Sequence, residues 1–301
     1  MRFSRSVVAR LLHLRRAEDR RFLREWLILV IACVLFVTLL ASFRWTGALD
    51  KLTYDWWLQR LPHTADPDIL LVEIDNESLE DLGRWPWPRE DHAAVLRRIA
   101  AAGPRCVIYD ILFSEPSPAD PVLAQAISLA PVYLPLAIVS ASSGDHFGEP
   151  ILPVEELRDA AAGIGHINLE ADNDGVVRSI ALFEGNSQHM WPQLTLPAYR
   201  MLQGRSVAPN SGGANSIETF TSATGASLTR SRRLLIPFSL LAHPYPRVSF
   251  SDVLRGRVPP EVFHDRIVLV GATADGLGEH LTTTISGQNG AMPGIAVHAS
   301  C

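Results

Sequence analysis

Cysteine is scarce in this sequence: its 301 residues hold three. Cys33 lies in a long apolar run, Cys106 in a short one, and Cys301 is the last residue. No pair is obvious and no spacing suits zinc, which excludes a disulfide or zinc framework. The fold is held by its core, and a hydrophobic content of 47% can supply one. Catalytic signatures are missing too. There is no G-x-S-x-G, no G-x-x-x-x-G-K-[ST] and no H-E-x-x-H. The glycine-rich Gly271–Gly278 follows a strand-like run, but its spacing is not that of a dinucleotide site. Positive charge is thin beyond the N-terminus. Residues 1–25 hold eight arginines against three acids, a balance of +5, so the overall −5 leaves −10 for the rest. That excess speaks against nucleic acid, whose phosphates demand Lys and Arg. The basic tail itself is better explained by anionic lipid than by RNA.

Charge is absent altogether from Trp26–Phe43, WLILVIACVLFVTLLASF. A membrane-spanning helix needs about 20 mainly apolar residues. Trp26 and Trp45 bracket the run as interfacial anchors, and Arg24 and Arg44 close its ends. A buried core helix rarely carries so long an uncharged run between arginines. A cleaved signal peptide has a shorter apolar core and ends in a small-x-small site, whereas this run ends Ser42-Phe43-Arg44-Trp45. We therefore expect a basic cytoplasmic tail over 1–25, an uncleaved transmembrane helix over 26–44, and residues 45–300 across the membrane by the positive-inside rule.

Beyond the span, Gly47–Pro62 carries helical spacing and predicts a juxtamembrane helix. Then α/β grammar begins. Asp68–Ile74, Cys106–Phe113 and Asp265–Ala272 read as buried strands, and Asp91–Ala102 as a helix ended by Gly103-Pro104. Strand, helix and strand with short connections imply a right-handed parallel crossover. Val132–Val139 is a strand interrupted by Pro135, hence expected near an edge. Asp174-Gly175 is a hairpin signal between Gly163–Ala171 and Gly175–Phe183. Trp191–Leu202 looks helical, and the Gly- and Ser-rich stretch of about 204–231 predicts a mobile surface loop. The fold class is α/β: a mixed, largely parallel sheet flanked by helices, preceded by one transmembrane helix.

The polar candidates gather at strand ends. Asp75 and Glu77 follow the first strand; Asp110 sits in the second, and Ser114 and Glu115 follow it. If the two strands are parallel neighbours, these groups share the edge at which open α/β sheets bind ligands. Turn formation and helix capping explain the same residues more plainly. Paired-carboxylate hydrolysis is the enzymatic alternative. His166 and Asn168 share one strand face and either line a pocket or are hydrogen-bonded in a core. Trp85, Trp87 and Arg89, held by Pro86 and Pro88, make either a ligand wall or core packing.

Six motifs in order resemble one family. They are Leu52-Thr53-Tyr54-Asp55; Ile74-Asp75-Asn76-Glu77-Ser78-Leu79; Gly83-Arg84-Trp85-Pro86-Trp87-Pro88-Arg89; Tyr109-Asp110-Ile111-Leu112-Phe113-Ser114-Glu115-Pro116; Gly165-His166-Ile167-Asn168 with Asp174-Gly175-Val176-Val177-Arg178; and Ile267-Val268-Leu269-Val270-Gly271-Ala272-Thr273-Ala274. Together they resemble the CHASE type 2 domain, an extracytoplasmic sensory module of bacterial signalling receptors. The resemblance implies a non-enzymatic periplasmic sensor in the inner membrane, recognising a small ligand or a periplasmic protein. A homodimer follows by analogy, and neither cofactor nor nucleic-acid partner is implied. It also implies further spans and a cytoplasmic output module after Met292-Pro293-Gly294-Ile295: a histidine kinase, a nucleotide cyclase or a cyclic-di-GMP enzyme. The family transfers no proven binding residue.

Overall fold

A computed structural model of the chain describes residues 5–42, 46–58, 60, 64–139, 147–186, 188–204, 217–221, 227–241 and 243–301. It divides into two units, 1–60 and 61–301.

The first unit holds helices α1 (Arg5–Ser42) and α2 (Thr46–Leu58). Tail and apolar run form one continuous helix. Within it Arg21–Leu39 is long and apolar enough to cross a membrane, with a mean hydropathy of 2.3 and none of it buried. Phe43, Arg44 and Trp45, expected at the end of the span, lie outside the described residues.

In the second unit the strands are β1 (Ile69–Ile74), β2 (Cys106–Asp110), β3 (Val132–Ile138), β4 (Pro150–Ile151), β5 (Gly163–His166), β6 (Ser179–Gly185), β7 (Met190–Pro192), β8 (Ile217–Thr221), β9 (Ser227–Leu235), β10 (Arg247–Ser249), β11 (Ile267–Ala272), β12 (His280–Leu281) and β13 (Met292–Pro293). The helices are α3 (Asn76–Leu82), α4 (Arg89–Ala101), α5 (Asp120–Ile127), α6 (Glu155–Ala160), α7 (Thr195–Leu202), α8 (Phe250–Leu254), α9 (Ser286–Asn289) and α10 (Gly294–Ala299).

The main sheet runs β10-β1-β11-β2-β3, parallel throughout. Parallel β5 and antiparallel β4 share the far side of β3. β1, β2 and β11 are near-continuous apolar runs because helices cover both faces. The pleat sorts their side chains. Leu70, Val72, Val107, Tyr109, Val268 and Val270 face the core shared with α4, α5 and α8. Leu71, Cys106, Ile108 and Leu269 face α7 and α10. A second, antiparallel sheet runs β7-β6-β9-β8.

Three local expectations change and one is sharpened. β1 and β2 are parallel but not neighbours, because β11 pairs with both and separates them. Pro135 lies near an edge as expected, on β3, one strand in from β4 and β5. The β2–β3 ladder stops at Ile108↔Tyr133, so the missing proline N–H falls beyond its last rung. The turn at Asp172–Gly175 forms, closed by Gly175 N–H to Asp172 O at 2.8 Å. Arg178 grips Asp172 and Asp174 at 2.9 Å each. Its flanking segments nevertheless join different sheets, since turn chemistry is local and strand pairing is not. Finally, part of the stretch expected as a loop over 204–231 is β8 and the start of β9. Ser and Thr alternating with Phe220, Leu228 and Arg230 suit a strand with one covered face.

Candidate functional site

The carboxyl ends of β1, β11, β2 and β3 meet one edge of the main sheet. Two cavities open there, of about 710 and about 700 Å3. Helix α10 lends residues to both: Ile295 and His298 to the first, Ala296 to the second. Its close seat over the sheet depends on Gly271. A Cβ there would lie 2.8 Å from Ile295 Cδ1 and 3.3 Å from Asp110 Cβ.

The first cavity lies between the two sheets. Asp110 and Asn168 line it, together with Phe147, Phe220, Arg230, Glu170, Glu279 and His298. Burial pushes the Asp110 carboxyl above the usual range. His298 pulls the other way, and Glu279 adds to the rise. His298 is 3% exposed, and burial lowers its pKa against the pull of Asp110 and Glu279. Its tautomer follows from Gln193. The Gln193 Oε1 accepts from Thr195 N–H at 2.8 Å and from the Thr195 hydroxyl. Its amide NH2 therefore donates to His298 Nδ1 at 3.1 Å, which leaves the imidazole proton on Nε2.

Asn168 continues the sheet with its side chain. Its Oδ1 accepts from Ile138 N–H at 2.9 Å, and its Nδ2 donates to Ile138 O at 2.6 Å and to Glu184 Oε1 at 3.0 Å. Glu184 faces Arg230 in register across β6 and β9, with Arg230 Nε 3.3 Å away. Arg230 also holds Glu170 at 2.7 Å. Burial raises the Glu184 pKa, and Arg230 and Asn168 oppose it. This chain of charge ties the two sheets together along the cavity.

The other sequence candidates are scattered. Asp75 and Glu77 line the second cavity. The Asp75 Oδ1 is engaged as the cap of α3, accepting from Ser78 N–H at 2.8 Å and from Ser249 Oγ at 2.9 Å. Asp75 and Asp110 end strands that β11 separates, so the pairing that a two-carboxylate hydrolase needs is not made. Trp85 and Trp87 pack edge to face at 5.2 Å in the core of the opposite sheet face. Trp87 Nε1–H donates to Gly83 O at 3.1 Å. Arg89 binds Asp120 at 3.1 Å and Glu115 O at 3.0 Å, and lies over Phe113. Ser114 and Glu115 are exposed on the connection after β2. His166 is fully buried, lines neither cavity, and is pushed down to about 3, first by burial and then by His298. Neither ring nitrogen makes a well-formed hydrogen bond, although the Ala181 backbone lies near enough to favour its charged form. Sequence reasoning missed His298, Gln193, Arg230 and Glu184, whose signal is tertiary.

Comparison with known families matches the CHASE2 domain model over residues 29–301. The chain belongs to the CHASE2 family. CHASE2 domains are extracytoplasmic sensory domains of signalling receptors rather than catalytic ones. With the apolar N-terminal helix, the match fits a membrane protein with a periplasmic domain. Searches of curated proteins and of solved structures each returned no significant match.

Proposed function

We propose that this CHASE2 chain is the ligand-recognising periplasmic part of a bacterial inner-membrane receptor, with its N-terminus in the cytoplasm. The observation that carries the reading is the first cavity. It sits where parallel strands end, the usual ligand position in open α/β sheets, and α10 forms part of its wall. A ligand bound there shifts the population of α10 positions only as far as it binds one of them better than the other. The shift reaches a cytoplasmic output module, a kinase, cyclase or cyclic-di-GMP enzyme, through the membrane. Orientation rests on the eight arginines of residues 1–25.

The test is labelling of Asn173→Cys, in the exposed turn, with a membrane-impermeant maleimide in a Cys301→Ser background. Labelling through a permeabilised outer membrane, with the inner membrane intact, is the expected result. Labelling only after lysis would reverse the orientation and end the sensor reading.

A further inference from the structure

We propose that the first cavity takes a small organic cation: a protonated amine with a hydroxyl or carbonyl oxygen close to it. The proposal rests on reading that cavity as the ligand site and adds the chemistry of its occupant.

At about 710 Å3 the cavity falls in the range of small-molecule sites. Its lining carries three carboxylates, Asp110, Glu170 and Glu279, against the one guanidinium of Arg230. That guanidinium is already matched by Glu170 and Glu184. Asp110 and Glu279 have no ion-pair partner among the described residues, and the charge of Glu279 reaches Asp110. An anion entering here meets uncompensated negative charge in a partly desolvated space. A cation supplies the missing partner. The opposed pair is a carboxylate acceptor on β2 and an imidazole donor on α10. Among the described residues nothing takes up the Nε2–H of the deeply buried His298. A ligand that gives N–H to Asp110 and offers an oxygen to His298 satisfies both. A bare metal ion fits less well, because among the described residues no three His, Cys, Asp or Glu side chains converge as a metal needs. Phe147 in the wall favours an organic cation, and Phe220 beside it already carries a cation, the Arg230 guanidinium 5.1 Å over its ring.

The experiment uses the whole chain in lipid nanodiscs. Ethanolamine and glucosamine serve as cationic probes, glucose as the neutral isostere and glucuronate as the anionic one, followed by ligand-induced stabilisation against unfolding. Stabilisation by the two amines and not by glucose or glucuronate is expected. Asp110→Asn should weaken amine binding by about tenfold or more, the loss of a charge-assisted contact. Glu279→Gln, at an exposed position that leaves folding intact, should weaken it by about threefold through the lost field. Stabilisation by glucose or glucuronate that Asp110→Asn alters would overturn the cationic class while leaving the cavity as the ligand site. Amine binding that neither variant changes would place the ligand elsewhere and overturn both. If no probe stabilises the chain, the inference falls, and the sensor reading is judged by the maleimide labelling alone.

Discussion

Ile295 sits on Gly271 so closely that a single methyl on the glycine would meet its Cδ1 at 2.8 Å and its Cβ at 3.2 Å. This contact sets α10 against β11 and so sets His298 opposite Asp110. Gly271→Ala should overpack the face, destabilising the chain by about 1–3 kcal/mol. Urea unfolding measures the loss, and Ile295→Val in the same chain should recover part of it. An unchanged midpoint would mean that α10 is not seated as described.

Arg89 joins three elements at once. It faces Asp120, which is 4% exposed, at 3.1 Å. Removing it leaves that carboxylate without its cation, although the Ser117 N–H still donates to it at 2.7 Å. Arg89→Ala should cost about 3 kcal/mol, as broken buried pairs do. Arg89→Lys should recover little, because lysine cannot also reach Glu115 O and lie flat over Phe113. A double-mutant cycle with Asp120→Ala measures the coupling.

Asn168 stands in for a strand residue beside Ile138. Asn168→Asp removes both Nδ2 donations and sets a carboxylate against Glu184. A loss of about 2–4 kcal/mol is expected, since buried acceptors are left unmet. Glu184→Gln should relieve part of it, and thermal unfolding of the single and double variants reads the difference. Additive effects would show that the two side chains do not act together.

Stability should fall with acid. His92 and His166 are both held neutral, pushed down to about 3 by burial, while the unfolded chain titrates them near 6.5. Between those values the unfolded state binds more protons, so stability drops as pH falls through the window. The slope is up to about 1.4 kcal/mol per pH unit for each imidazole. The raised carboxyls of Glu73, Asp110 and Glu184 act with the opposite sign. They favour the folded state at low pH, and that contribution is lost as pH rises through their folded values. Denaturant melts from pH 7 to pH 5 should therefore weaken steadily, and His166→Asn should flatten the slope by one imidazole's share. An unchanged slope would show that His166 is not held neutral.

Much of this was legible in the residues. The apolar run Trp26–Phe43, the buried strands around Leu70, Ile108 and Leu269, and the capping of α3 by Asp75 are local matters. Side-chain period, turn chemistry and an N-cap oxygen act over a few residues, so a sequence window holds all they need. The placing of Asp110 on the α10 face follows from alternation with Cys106 and Ile108.

What the tertiary structure alone decided is which strand lies beside which. Burial tells an apolar segment to be inside and does not tell it next to whom. The insertion of β11 between β1 and β2 separated Asp75 from Asp110 and brought Gly271, and with it His298, to the edge where Asp110 stands. Arg230 and Glu184 met for the same reason, through a ladder between β6 and β9. The sequence determined the ingredients of the candidate site through short-range chemistry. The site itself was made by long-range pairing, whose partners no local pattern names.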